Sequence, residues 1–352
     1  MNNFKALFFT DLHFHPHGGD RSRLEETERT LQWILDECNR LNCKNLIFLG
    51  DWSHVPTATN NIVIDMTVSW LEKMKSQEID LIALVGNHDA PTHENSEHGL
   101  AYMHPFANVI NHYEKFVAEK GLCFHLFPWM KDELLAQVID ASVPEPNCFN
   151  IALMHADIVG AQNNNGIATT NGFSPSALSD KFDHTLLGHY HNSQNVRETV
   201  EYIGSIVTTR YGEEEGFHGL IYFEFDGATE TFQMTQIPNT VSPKHITIQA
   251  ESIDTADVAG HYVRVMVRPT DNVKELAQKL HERGAKKVML KTIDQRSGNK
   301  DEAVAIEVLD FSPLSVFKEF ISKNGVPESL DEDLILSLGE KYITAAQAIS
   351  QE

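Results

Sequence analysis

Five short polar motifs, each standing directly after a compact apolar run, constrain this 352-residue chain more than any other feature. They are Asp11-Leu-His13, Gly50-Asp51, Gly86-Asn87-His88-Asp89, a lone His155, and Gly188-His189-Tyr190-His191. The runs before them are Lys5–Thr10, Asn45–Leu49, Leu81–Val85, Ile151–Met154 and Thr185–Leu187. All are rich in branched and aromatic residues and read as buried strands. Layered α/β proteins place binding residues at strand ends, where rigid backbone aims several side chains at one point. The five motifs are therefore predicted to converge.

The residue types say what they converge on. In Asp11-x-His13 and His189-x-His191 an extended backbone puts both side chains on one side, because strand side chains repeat every two residues. Glycines 50, 86 and 188 permit tight turns or close backbone approach. Carboxylate, amide oxygen and imidazole form a mixed O/N donor set without thiolate, suited to Mn²⁺, Fe or Zn²⁺ rather than a soft cuprous ion. One such motif is weak evidence. Five in this order, each behind an apolar strand, point to a metal site.

Between the early strands lie amphipathic stretches, Leu24–Asn39 and Ile62–Lys75, so the first 240 residues read as a layered α/β domain. Tyr202–Ile203 and Leu220–Phe225 read as further strands of a second sheet. Pro238–Pro243 breaks the pattern. Residues 241–310 then read as a small α+β domain, with strands at Tyr262–Val267, Lys287–Ile293 and Ala303–Leu309 and a helix at Val273–Arg283. Residues 311–352 read as helices with an acidic hinge at Glu328–Asp333. No apolar run is long enough to span a bilayer, and the start lacks the zones of a signal peptide, so a cytoplasmic protein is expected. Cys38, Cys43, Cys123 and Cys148 match neither a zinc knuckle nor a redox pair and read as reduced thiols. The net charge of −22 argues against a DNA binder acting alone, because neutralising phosphates takes Lys and Arg. Bound divalent cations or a basic partner would offset it.

The motifs resemble those of the calcineurin-like metallophosphoesterase superfamily, which run D-x-H, G-D, G-N-H-D, H and G-H-x-H. The resemblance implies a four-layer α/β sandwich, two central β-sheets flanked by helices, with two divalent metal ions at its mouth. It implies that Asp11, His13 and His191 hold one metal, that Asn87, His155 and His189 hold the other, and that Asp51 bridges them. His88 would be the catalytic histidine facing the phosphate, and Asp89 its orienting partner.

Within the superfamily the chain is similar to SbcD-type DNA-repair exonucleases and the shorter T-even-phage recombination endonuclease subunits. Gly50-Asp-Trp-Ser-His54-Val-Pro56 resembles G-D-x-x-H-x-x-x-P, with Pro56 one residue early. Phe182–His191 resembles Y-D-Y-x-x-L-G-H-x-H, and Tyr202-Ile-Gly-Ser205 with Glu213–Glu215 resembles Y-P-G-S…E. Phe127-Pro-Trp-Met130 matches the phage-type subunits. This likeness implies a second catalytic histidine, His54, and a Mn²⁺-dependent DNA exonuclease and endonuclease working in double-strand-break repair or recombination. It also implies a homodimer, a DNA-facing capping domain at 241–310, and C-terminal helices at 311–352 that dock an SMC-like ABC ATPase of SbcC type. One departure is local: the family's D-x-H-L-G opening is Asp11-Leu-His-Phe-His-Pro-His17 here. His15 and His17 are expected as exposed loop residues. A phosphodiesterase for small substrates such as cyclic nucleotides would suit the acidity but gives residues beyond 245 no role. A non-catalytic scaffold would be expected to have lost metal ligands that this chain keeps.

Overall fold

The structure, a computed structural model, describes residues 3–55, 60–90, 97–119, 121–292, 304–309, 314, 317–318, 321 and 331–349. Its first compact unit ends at Lys244 and its second begins at His245.

In the first unit, β1 (Asn3–Phe9) buries Phe4, Ala6 and Phe8 on one face and Leu7 and Phe9 on the other. A strand covered on both faces reads as a continuous apolar run rather than an alternation. To one side of β1 follow β2 (Asn45–Phe48), β3 (Asp80–Leu84) and β4 (Asn108–Ile110), all parallel. To the other side lie β11 (Gly219–Asp226) and β12 (Thr231–Pro238), antiparallel. The second sheet runs β5 (Glu114–Glu119), β6 (Leu122–Phe127), β7 (Phe149–His155), β8 (His184–Gly188), β10 (Val200–Tyr202), β9 (Gln194–Arg197), with β6, β7, β8 and β10 parallel.

Between the sheets, Phe4, Phe8, Phe223 and Phe225 pack with Phe124, Leu126, Leu153 and Leu186. Phe8 meets Phe124 and Phe223 edge-on, a favoured aromatic geometry. On the outer face of the first sheet, Leu31, Ile34, Trp70 and Leu71 come from α1 (Arg21–Arg40) and α2 (Asn61–Ser76). Each helix starts on a side-chain cap, Asp20 accepting from the Ser22 amide and Asn60 from the Ile62 amide. Against the second sheet pack Leu135 and Ile139 of α3 (Asp132–Ala141) and Leu178 of α4 (Pro175–Ser179). The result is helix, sheet, sheet, helix: the expected four-layer α/β sandwich.

One strand sits elsewhere than expected. Leu220–Phe225 belongs to the first sheet, beside β1 with Phe4 opposite Phe225. An apolar strand carries no mark of which sheet it joins; its partner here lies more than two hundred residues away in sequence. The fully buried β6 escaped the reading altogether.

The second unit orders β13 (His245–Gln249), β14 (Tyr262–Val267), β15 (Lys287–Thr292) and β16 (Val304–Leu309) in one sheet, with only the last pair antiparallel. Val263, Val265, Val288 and Leu290 meet Ala277 and Leu280 of α5 (Val273–Glu282). The last helix is α6 (Glu332–Ile349). The division expected near 311 lies outside the described residues. Among the described residues no helix is long and apolar enough to cross a membrane. The four cysteines are free.

Candidate metal centre

The motifs follow the C-terminal ends of five parallel strands, β1, β2 and β3 of one sheet and β7 and β8 of the other. At these ends the chain turns in unusual ways. Asp11, His13, Asp51 and His189 have φ of 53°, 46°, 63° and 101°, a left-handed backbone that costs energy for any residue with a side chain. The Asp11 amide donates to the Gly50 carbonyl and the His13 amide to that of Asp51, both at 3.0 Å, so neighbouring strand ends hold one another in this form. Two glycines are required by proximity. A Cβ on Gly86 would strike the Asp51 carboxylate, and one on Gly188 would strike Thr10 and the Leu49 carbonyl.

All seven expected ligands come together. Asp11, His13 and His191 form one cluster; Asp51, His155 and His189 form another, each with ligand atoms within 4.8 Å of one another. Asp51 stands between them, Oδ2 3.6 Å from His13 Nε2 and Oδ1 3.4 Å from His155 Nε2. Asn87 Oδ1 lies 2.9 Å from both His155 Nε2 and His189 Nδ1. His13 Nε2 faces His191 Nε2 at 3.0 Å.

The donor set fits divalent cations for a specific reason: second partners turn the lone pairs inward. His155 Nδ1 donates to the Leu49 carbonyl at 2.7 Å, which leaves the Nε2 lone pair facing Asp51 and Asn87. His191 Nδ1 donates to Glu213 Oε1 at 2.6 Å, which leaves Nε2 facing His13. His189 Nε2 lies 3.3 Å from Asp157 Oδ1, so its Nδ1 faces Asn87. Asp11 Oδ1 is buried with no hydrogen-bond partner among the described residues. Buried acceptors crowded together without donors are costly unless a cation sits among them.

Electrostatics agree. Burial opposes ionisation of Asp51, but the His155 and His13 charges hold its carboxyl far below the usual range. Burial lowers the His155 pKa, yet Asp51 outweighs it and the ring rises to about 9. That proton answers the same negative charge a metal ion would answer, and metal binding displaces it. Burial drives His13 well below its ordinary value. Against burial, the hydrogen bond to Glu213 raises His191, and the same bond takes Glu213 down to about 2.

The expected catalytic residues are also placed. His88 is half-buried; its Nδ1 donates to the His54 carbonyl at 2.7 Å and its amide donates to Asp51 Oδ1 at 2.8 Å. His54 is exposed, its ring centroid 5.8 Å from that of His13. Asp89, expected as the orienting partner of His88, bonds to backbone amides rather than to the His88 ring among the described residues. Its carboxylate accepts from the amides of Asp51, Trp52, Ser53 and Gly86 at 2.8–3.1 Å. Burial and the nearby Asp51 charge push its pKa up to about 7 against the Ser53, Gly86 and Trp52 amides. Asp89 ties together the two strand-end loops that carry Asp51 and His88.

Two positioning carboxylates had weak signals in the sequence. Glu213 stood only as the E of a loose motif, and Asp157 two residues after His155 carried none. The hydroxyl of Tyr190 also donates to Asp157, and Asn164 Oδ1 accepts from the His191 amide at 2.7 Å. His15 and His17 are half-buried rather than exposed, their rings packed 4.5 Å apart. Burial first and the Arg23 charge second lower both, His17 to about 4. His98 and His104 pair with each other, 5.5 Å between rings. His93 lies outside the described residues.

Two cation cradles sharing one carboxylate, on strand ends that meet across a four-layer sandwich, define a metal-dependent phosphoesterase. Residues 4–206 match the family model of the calcineurin-like phosphoesterases, and the chain belongs to that family. It is similar to protein R555 of Acanthamoeba polyphaga mimivirus, 23% identical over 227 residues, or 60% of this chain and 16% of that protein. The chain thus spans about a sixth of that relative's length. Protein 244L of Invertebrate iridescent virus 6, provisionally designated a phosphoesterase, is 22% identical over 64% of this chain and 78% of its own. Among solved structures, a dimetal phosphatase from Danio rerio is 11% identical with a TM-score of 0.36, over 62% of this chain and 92% of that one. Nuclease MPE from Pseudomonas putida is 17% identical with a TM-score of 0.29, over 65% and 87%.

Proposed function

We propose that this phosphoesterase is a Mn²⁺-dependent DNA nuclease, the catalytic subunit of a double-strand-break repair or recombination complex. It works as a homodimer with an SMC-like ABC ATPase docked on the C-terminal helices. The observation that carries the reading is the pair His88 and His54 at the rim of the cradle, the His88 amide on Asp51 and the His54 ring 5.8 Å from that of His13: two imidazoles able to give a proton to a departing alkoxide. Charge distribution supports it. Residues 241–310 hold eleven Lys and Arg against eleven Asp and Glu, so the expected DNA-facing domain carries none of the acidic excess that brings the whole chain to −22.

Bound divalent cations would supply a water activated to a pKa of about 7 and positive charge for the phosphate. The remaining work falls to the chain. Asp51 and Asn87 fix the spacing of the two cradles. His88, its Nδ1–H anchored on the His54 carbonyl, keeps Nε2 free toward the substrate. As imidazolium it can give its Nε2 proton to the departing alkoxide, returning to the neutral ring with Nδ1–H still on the His54 carbonyl.

The test is Mn²⁺-loaded protein on end-labelled linear duplex DNA, on closed circular duplex and on bis(p-nitrophenyl) phosphate. Shortening of the linear duplex is expected; hydrolysis of the small diester with every DNA left intact overturns the proposal. Docking is tested separately, by co-purification of an ATPase with the intact chain and with a truncation ending at Phe311. Retention by both forms removes the C-terminal helices from that role.

A further inference from the structure

The row of imidazoles does not stop at the cradle. Ring centroids lie 4.9 Å apart from His191 to His13, 5.8 Å from His13 to His54, 4.8 Å from His54 to His15 and 4.5 Å from His15 to His17. The row starts in the interior and ends where His15, His17 and His54 are each at least partly open to solvent. His15 stands where the family's D-x-H-L-G opening carries its glycine, and His17 lies two residues beyond that motif.

Their hydrogen bonding differs in kind from that of the ligands. His17 adopts φ 48°, another left-handed non-glycine residue, and its amide donates to His15 Nδ1 at 2.7 Å. A neutral imidazole whose Nδ1 accepts must carry its proton on Nε2. His155 and His191 are held the opposite way, Nδ1–H donating and the Nε2 lone pair turned into the cradle. His15 thus offers an N–H donor where the ligands offer a lone pair. A donor cannot hold a cation; it suits an anionic oxygen.

We propose that His15 is a substrate-positioning residue whose Nε2–H contacts a second phosphate of a polynucleotide strand, next to the scissile phosphodiester, with His17 locking its tautomer. This rests on the polynucleotide reading above and sharpens it. A polynucleotide carries a phosphate on every nucleotide, so a donor two imidazoles out from His13 meets a neighbouring phosphate rather than the one being cut. A neutral donor also answers a need set by the acidity of the chain: it grips phosphate without a lysine. A small diester has nothing to place there.

The experiment uses the full chain loaded with Mn²⁺, as wild type, His15→Ala and His15→Gln, on bis(p-nitrophenyl) phosphate and a single-stranded oligonucleotide. Metal content is measured alongside. His15→Ala is expected to leave the small diester within about twofold and to raise KM for the oligonucleotide about tenfold or more, with kcat unchanged. His15→Gln, whose amide can donate from nearly the same place, restores most of the loss. A wild-type preference for the oligonucleotide that persists in His15→Ala overturns this inference and leaves the nuclease reading standing. A wild type that hydrolyses the small diester and leaves the oligonucleotide intact overturns both, and one indifferent between the two substrates overturns this inference alone. Equal losses on both substrates, or lost metal, overturn it too and make His15 a support of the cradle.

Discussion

The two halves of the cradle use similar donors but are built differently. Around Asp11, His13 and His191 everything is sealed: Asp11 is 0% exposed, His191 6%, and Glu213 behind it 0%. Around Asn87, His155 and His189 only His155 is fully buried, and Asp157 behind His189 is half-open. Trp129 partly covers that side, its ring 5.2 Å from that of His189. A buried orienting carboxylate acts through a low dielectric and is held by the amides of Thr209 and Arg210, whereas an open one is screened by water. Metal affinity should follow how rigidly the partner groups hold the ligands, not how many ligands there are.

The largest effect should come from the residue that joins the halves. Asp51→Ala should empty both positions and reduce turnover to background, read as metal per chain and hydrolysis of bis(p-nitrophenyl) phosphate. Metal content of one ion per chain would instead make the halves independent. His88→Ala removes none of the seven expected ligands, although His88 stands in a third group with His13 and Asp51. It should keep full metal and lose roughly 10²–10⁴-fold in turnover; near-normal turnover with full metal would remove His88 from the mechanism.

Glu213→Ala should weaken the sealed half alone, by about 10–100-fold in metal affinity. The same carboxylate gives the metal-free protein an acid limit. Its folded pKa of about 2 lies below the ordinary 4.5, so the stability it contributes is complete above 4.5 and is lost as pH falls toward 2. Thermal melts of the metal-free wild type should drop across that window, and those of Glu213→Ala should drop less. The smallest change is expected from Asp157→Asn, about tenfold or below, because Asp157 is screened. A chelator titration ties these together: the open half should release its metal first. Simultaneous release would break the comparison.

Much of this site was legible because its motifs are local. A strand end followed by Asp-x-His or Gly-Asn-His-Asp fixes side-chain direction within a few residues, and the five strands could be read from their apolar runs. Glu213 and Asp157 were harder. Glu213 reaches His191 across 22 positions, in a run of three glutamates among which the sequence does not single one out. Asp89 shows the reverse case: its presence was plain, but its four bonds to backbone amides exist only once two loops meet.

By itself, then, the sequence determined a layered α/β chain, the seven candidate ligands and the strand ends that carry them, because burial pattern and strand period act over short range. Only the tertiary structure decided which sheet took Leu220–Phe225, which nitrogen of each histidine faces inward, and that His15 presents a donor. Those choices depend on hydrogen-bond partners that folding alone brings within 3 Å or so, and no spacing along the chain encodes them.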